Sequence, residues 1–408
     1  MIAPAKPPRL DSATLRAIPR SVWALGFVSL AMDVSSEMIH ALLPLYLVAA
    51  MGASTLAVGV IEGVAEATAA FARIASGAVS DWLGRRKLLA AAGYGLAALT
   101  KPVFPLAASV EWLVAARFVD RLGKGIRGAP RDAPIADIAP AHLRGASFGL
   151  RQALDTVGAF IGPLAAIGLM LWTAENFVFV FWIAVIPAFL SFALILFAVP
   201  EPDRPASSGE ARFALRRGGL GRLPAAFWFV VAVAAVFTLA RFSEAFLLLK
   251  VREVGVPTAF VPLALVLMNV VYAIAAYPAG VAADRDGGRR RMLFLGLALL
   301  IAADLALAFA GDVAGAAAGV LLWGLHMAST QGLLSALVAD AAPPDLRGTA
   351  FGIFNFVSGL SLLAASVLAG YLWDAEGSRA TFLAGAAFAA TALAGIAAIR
   401  APRPVAGA

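Results

Sequence analysis

The sequence predicts an all-α membrane protein with 12 transmembrane helices in two pseudo-symmetric six-helix bundles, both termini cytoplasmic. Three observations predict it. The 408-residue chain is 61% apolar and only 14% charged, with a mean hydropathy of +0.87, and its apolar runs alternate with short polar breaks. Its second half repeats the first at a fixed offset. Its Lys and Arg residues crowd the loops of one side.

Twelve spans follow in order, near 21–49, 55–80, 87–108, 112–137, 145–172, 177–199, 224–250, 258–283, 291–311, 314–340, 348–373 and 378–400. They divide the chain into an N-terminal segment 1–20, a bundle 21–199, a linker 200–223, a bundle 224–400 and a tail 401–408. The residues ahead of the first span, among them Lys6, Arg9, Arg16 and Arg20, lack a cleavable apolar core, so that span is expected to be retained. It carries Asp33, Ser36, Glu37 and His40 at i, i+3, i+4 and i+7, on one face. The second carries Glu62, Glu66 and Arg73 within roughly 40° of arc. The fifth has Arg151, Gln152 and Asp155, and the seventh has Arg241 and Glu244. The eighth, tenth and eleventh contribute Asn269, Tyr272, His326, Gln331 and Asn355. The third, sixth, ninth and twelfth hold only Lys101 and Asp304 between them. Two members of each helix triplet therefore face inward, and one seals against lipid.

Orientation follows from the basic residues. The N-terminus, the linker, the C-terminus and loops such as GRRK at 84–87 and RDGGRRR at 285–291 hold 20 of them. The other side holds three, Lys250, Arg252 and Arg379. The net charge of +7 is thus a topology signal, and no nucleic-acid partner is expected. There are no cysteines, which excludes disulfides, thiol catalysis and thiolate metal sites. Asp33, Glu37 and His40 have a spacing compatible with a divalent metal, yet one imidazole among arginines is a poor cage. No metal and no cofactor are expected.

The repeat is explicit. GAVSDWLGRR at 77–86 aligns with GVAADRDGGR at 280–289, an offset of 203 residues. The same offset carries ADIAPAHLRGASFG at 136–149 onto ADAAPPDLRGTAFG at 339–352. A six-plus-six duplication is the economical account. It also places 112–137 opposite the apolar span at 315–340, although 116–134 carries Arg117, Asp120, Arg121, Lys124, Arg127, Arg131 and Asp132. On a helix these seven share an arc of roughly 140°, with Ala116, Phe118, Val119, Leu122 and Ile126 outside it. The alternative is that Pro130 and Pro134 end the helix early and leave Arg127 to Asp132 among the headgroups.

These motifs resemble the major facilitator superfamily over essentially the whole chain. Gly77-to-Arg86, with Asp81, Gly84, Arg85 and Arg86, looks like that family's loop motif, and Gly280-to-Arg289, with Asp284, is a weaker copy. Arg117 sits where the family has an arginine motif, and Gly149, Gly158, Gly162 and Pro163 resemble its antiporter motif, departing at Ala166 and Ile167. The resemblance implies two bundles with spans one, four, seven and ten around a central cavity. It implies gating by Asp81, Arg85, Arg86, Asp284 and Arg289, with Arg144 and Arg347 at the positive ends of their helices as partners. Gly149, Gly158, Gly162 and Pro163 are expected to let the halves pack closely.

For function, Asp33, Glu37, Glu62 and Glu66 are candidates for proton coupling, since burial and neighbouring cations push a carboxyl in opposite directions. The competing view is a set of static ion pairs. His40, Arg117, Asp120, Arg121, Lys124, Arg127, Arg241, Glu244, His326, Gln331 and Asn355 are candidates for the substrate cavity. A small-molecule substrate, protons and the lipid bilayer are the expected partners of a monomer in the cell inner membrane, multi-pass and without enzymatic activity. Proton-coupled export is the expected direction. Import of an organic anion, export of a divalent metal and an integral-membrane enzyme are the alternatives.

Overall fold

A computed structural model describes residues 16–83, 86–140, 143–200, 222–285, 287–330, 333–343 and 346–398. Arg85, Gln331 and the linker from 201 to 221 lie outside the described residues, as do the side chains of Asp81, Arg144 and Arg347. In the first half the long helices are α1 (Arg20–His40), α2 (Thr55–Leu83), α3 (Arg86–Thr100), α4 (Val110–Ile138), α5 (Arg144–Trp172) and α6 (Phe177–Phe197). In the second they are α7 (Ala225–Leu239), α8 (Ala245–Glu253), α9 (Leu263–Ala283), α10 (Gly288–Phe309), α11 (Val313–Thr330), α12 (Leu333–Ala341), α13 (Arg347–Glu376) and α14 (Ser378–Ala398).

Among the described residues, nine helices are long and apolar enough to cross a membrane. The third, fourth and seventh predicted spans are not among them. Helix α3 stops after 15 residues, where Lys101 and Pro102 interrupt it, and a short helix at Val103–Leu106 follows. Helix α4 is too charged to count by composition, yet it runs unbroken for 29 residues through Pro130 and Pro134. The early end at those prolines is therefore overturned. Membrane helices carry interior prolines where neighbouring groups satisfy the freed carbonyls. The seventh span, expected as one helix, is split between α7 and α8 by Ala240–Glu244. The first span also breaks, at Ala41 and Leu42 before a helical turn at Leu43–Leu45. The repeat offset carries Ala41 onto Glu244, so the two breaks occupy equivalent positions.

The chain divides into two compact units, one of residues 1–51 and 68–213, the other of residues 52–67 and 214–408. In unit 1, α1 packs against α5 and α6, and α3 against α4 and α6. Unit 2 repeats the pattern, with α7 against α13 and α14, and α10 against α11 and α14. The core of unit 1 joins Val22, Leu25, Val28 and Met32 to Ala90, Tyr94 and Ala188. That of unit 2 joins Phe227, Val230 and Ala234 to Ala350 and Phe354.

The first turns of α2, expected in the N-terminal bundle, pack inside unit 2. Small residues explain it. A Cβ on Gly63 would stand 3.0 Å from the Leu363 carbonyl oxygen, one on Gly59 would overlap the Ser366 carbonyl, and Gly370 answers from α13. At the end of this seam Asp374 caps α2, accepting the Thr55 amide at 3.0 Å, the Leu56 amide at 2.8 Å and the Thr55 hydroxyl. Asp374→Ala should lower stability by about 1 kcal/mol, the value of an N-cap, measured as a shift in thermal unfolding. Asp374→Asn, which keeps an acceptor, should lose less.

Candidate functional site

The α4 charges face protein. Trp112 and Phe118 are 59% and 43% exposed, whereas Arg117, Asp120, Arg121 and Arg127 are all 4% exposed or less. Glycines bring the neighbouring helices close. A Cβ on Gly123 would stand 2.7 Å from the Gly93 carbonyl of α3, and Ser76 of α2 donates to the Gly125 carbonyl at 3.0 Å.

Three groups of polar contacts follow within unit 1. In the first, Lys101 Nζ lies 2.8 Å from Asp120 Oδ1 and 3.2 Å from Ser36 Oγ, with Arg117 Nη1 at 4.0 Å from the other Asp120 oxygen. In the second, Glu37 Oε2 lies 3.3 Å from His40 Nδ1, one turn along α1. In the third, α4 and α5 exchange charges. Arg131 reaches Asp132 at 3.0 Å and Asp155 at 3.8 Å, while Arg151 reaches Asp155 at 2.5 Å and Asp132 at 3.6 Å. Arg131 also donates to Ser29 at 3.1 Å, and the Arg127 guanidinium stacks 5.0 Å above the Tyr94 ring. A buried ion pair repays its desolvation only with good geometry and further hydrogen bonds. Lys101 and Asp120 have both.

Lys101 is the residue that sequence reasoning passed over. The third span is expected to seal against lipid, but its Lys101 is 1% exposed and pairs with the fourth. The available signal is a lone lysine beside a proline in an apolar run.

Asp33 and Glu37 belong to unit 1 and Glu62 and Glu66 to unit 2, so neither unit by itself assembles the four. Glu62 is buried, and Glu66 is half-buried. In unit 2 Arg241 and Glu244 sit at the break between α7 and α8, both half-buried, with the Arg241 guanidinium 6.0 Å from the Phe237 ring centroid. The break is held by Ser243, whose amide donates to Ser366 Oγ at 3.3 Å and whose hydroxyl accepts the Ala245 amide at 3.2 Å. A discontinuous membrane helix exposes backbone groups that solutes and ions can use. His326, expected in the cavity, is wholly buried. Its Nδ1 lies 2.7 Å from the Gly296 carbonyl oxygen of α10, and its ring packs on Phe237, so it joins helices. Asn355 is exposed, and Gln331 lies outside the described residues. Among the described residues no three His, Asp or Glu side chains gather as metal ligands would.

The glycines of α5 act within one unit, which corrects the expectation that they join the halves. A Cβ on Gly158 would stand 2.8 Å from the Leu30 carbonyl oxygen, and one on Gly162 2.9 Å from that of Val34, both in α1. Gly149 has nothing within 4 Å of such a position. Of the loop residues, Arg86 is half-buried and Asp284 exposed, and Arg289 pairs with Asp340 of α12 at 3.0 Å. Both partners of that pair are about half exposed or more, at 49% and 62%. Arg289→Ala should therefore change stability by no more than about 0.5 kcal/mol in thermal unfolding.

The sequence profile of the Major Facilitator Superfamily matches residues 25–261 and 245–408. An uncharacterized MFS-type transporter of Methanocaldococcus jannaschii is 33% identical over 384 residues, covering 92% of this chain and 93% of that protein. Two solved structures share the fold. A bacterial homolog to the human lysosomal transporter Spinster aligns with a TM-score of 0.74 at 16% identity, over 92% of this chain and 95% of that one. The nucleoside transporter NupG aligns with a TM-score of 0.77 at 14% identity, over 93% of this chain and 100% of that one.

Proposed function

The chain belongs to the major facilitator superfamily of multi-pass membrane transporters, and on that premise we propose a secondary carrier of a small organic solute, exporting it in exchange for protons by alternating access. Twelve spans with cytoplasmic termini, in the cell inner membrane and as a monomer, complete the reading. The carrying observation is the buried face of α4, with five cations against two carboxylates in a helix that must cross lipid. Intramembrane charge is expensive and marks a substrate or ion path. Arg117, Arg121 and Lys124 suit an anionic or strongly hydrogen-bonding head group. Phe237, Phe242 and Trp323, with Arg241 and Glu244, suit a softer organic body. Asp33, Glu37, Glu62 and Glu66 would load and release the proton, each poised between burial and a cation. Asp81 and Asp284 would brace a closed state against Arg144 and Arg347, helped by the loop arginines 85, 86 and 289. Solved proteins of this fold carry nucleosides in one instance and bind peptides in another, which agrees with a small organic cargo.

The excess of cations on α4 favours one second reading, import of an organic anion. A thermal-shift screen of metabolites and drugs against the purified protein identifies the solute, since a ligand at 100 times its Kd adds about 2.7 kcal/mol to the folded state. Proteoliposomes with an imposed pH gradient then test the coupling. Solute accumulation that vanishes with a protonophore supports it. Accumulation indifferent to the pH gradient rejects it.

A further inference from the structure

The ninth span is apolar along its membrane-spanning length but for one residue. Asp304 of α10 is 0% exposed, and among the described residues neither of its carboxylate oxygens has a hydrogen-bond partner. Opposite stands Gly385 of α14. A Cβ there would lie 2.6 Å from Asp304 Oδ2 and 3.0 Å from Cε1 of Phe242, so glycine alone leaves room for the carboxyl. The titratable groups on the packed elements are His326 on α11, Arg379 on α14, Tyr272 and Tyr277 on α9, and Arg241 and Glu244 beside Phe242. His326 is engaged at the Gly296 carbonyl, two turns away along α10. Arg379 lies over Phe309, 4.4 Å from its ring centroid, towards the end of α10. None is hydrogen-bonded to Asp304.

The repeat sharpens the contrast. The offset of 203 places Asp304 on Lys101, just past the end of the equivalent helix of unit 1. Lys101 is answered by Asp120 and Ser36. The equivalent positions in unit 2 hold Trp323 and Leu239, neither of which carries a charge, and neither is hydrogen-bonded to Asp304. An isolated ionised carboxylate in such a place is far costlier than a protonated one. Even neutral, it forgoes hydrogen bonds that a leucine would never need. What a carboxyl offers there and a leucine cannot is reversible proton binding.

We propose that Asp304, facing Gly385 across the seam between α10 and α14, is a proton-binding site of unit 2, occluded with its proton when the seam is closed and emptied when water enters it. The proposal rests on the proton-coupled reading for its use in transport, but not for its existence. Occupancy is tested without any solute, by infrared difference spectroscopy of the full chain in lipid nanodiscs, with protons and deuterons as the probes. The expected result is a protonated-carboxyl band at neutral pH whose intensity drops by one group in Asp304→Asn. An unchanged band in that variant overturns the proposal. Should the asparagine variant fail to fold, Gly385→Ala sets a methyl group against Oδ2 and must shift the same band, and an unmoved band overturns it equally.

The role is tested with the solute identified by the screen. Asparagine mimics the neutral acid, so Asp304→Asn should keep exchange between equal solute pools while accumulation driven by a pH gradient falls at least tenfold. Gradient-driven accumulation at the unmodified level overturns the proposal and leaves a structural acid. If the unmodified protein ignores the pH gradient, the proton-coupled reading fails, and the infrared result still decides the site.

Discussion

Asp120→Ala is expected to destabilise the protein by about 3–5 kcal/mol, the cost of leaving a buried charge without its partner. The stranded group is Lys101, whose Nζ keeps, among the described residues, Ser36 at 3.2 Å and the Phe104 ring at 5.9 Å once the 2.8 Å contact to Asp120 is gone. Lys101→Met combined with Asp120→Leu should regain most of the loss, because replacing both charges with apolar groups is often neutral. Unfolding of Lys101→Met, Asp120→Leu and the double variant in lipid closes a double-mutant cycle. A single-variant loss below about 1 kcal/mol would mean that the pair behaves as an exposed one and water reaches it.

Gly162→Leu is expected to cost about 3 kcal/mol or more, the upper end for forcing volume into a packed interior. The obstruction is backbone, which cannot rotate away. A Cβ at 162 would meet the Val34 carbonyl oxygen at 2.9 Å and the Met38 amide nitrogen at 3.2 Å. Gly149→Leu, with open space around it, is the matched control and should change little beyond helix propensity. Thermal unfolding of the pair separates packing from propensity. Equal effects at both positions would remove the close crossing of α1 and α5.

The sequence carried the architecture further than the contacts. Among the described residues, nine of the twelve spans expected from periodicity are long and apolar enough to cross a membrane, and the 203-residue offset aligns the breaks in the first and seventh. Periodicity also puts the charged face of α4 on the side away from Phe118. The break in the seventh span was hidden, because Ala240, Arg241, Phe242, Ser243 and Glu244 include no glycine or proline. A tertiary bond, from the Ser243 amide to Ser366 Oγ, holds it. Lys101 was undervalued because a single charge in an apolar helix looks incidental until its rotation toward Asp120 is known. His326 meets a backbone carbonyl, a partner that no pattern of side chains reveals. The close packing of the start of the second span through Gly59, Gly63 and Gly370 leaves only a faint trace in composition.

The absence of cysteine lets one introduced thiol report on its own surroundings. Lys124 is half-buried on the charged face of α4, and Phe118 is 43% exposed on the other. A charged, membrane-impermeant maleimide reacts with a hydrated thiolate. The account predicts labelling of Lys124→Cys, slowed by the transported solute, and none of Phe118→Cys. Reaction at Phe118→Cys with Lys124→Cys silent would turn the cations of α4 toward the acyl chains, and a solute path along them would be contradicted.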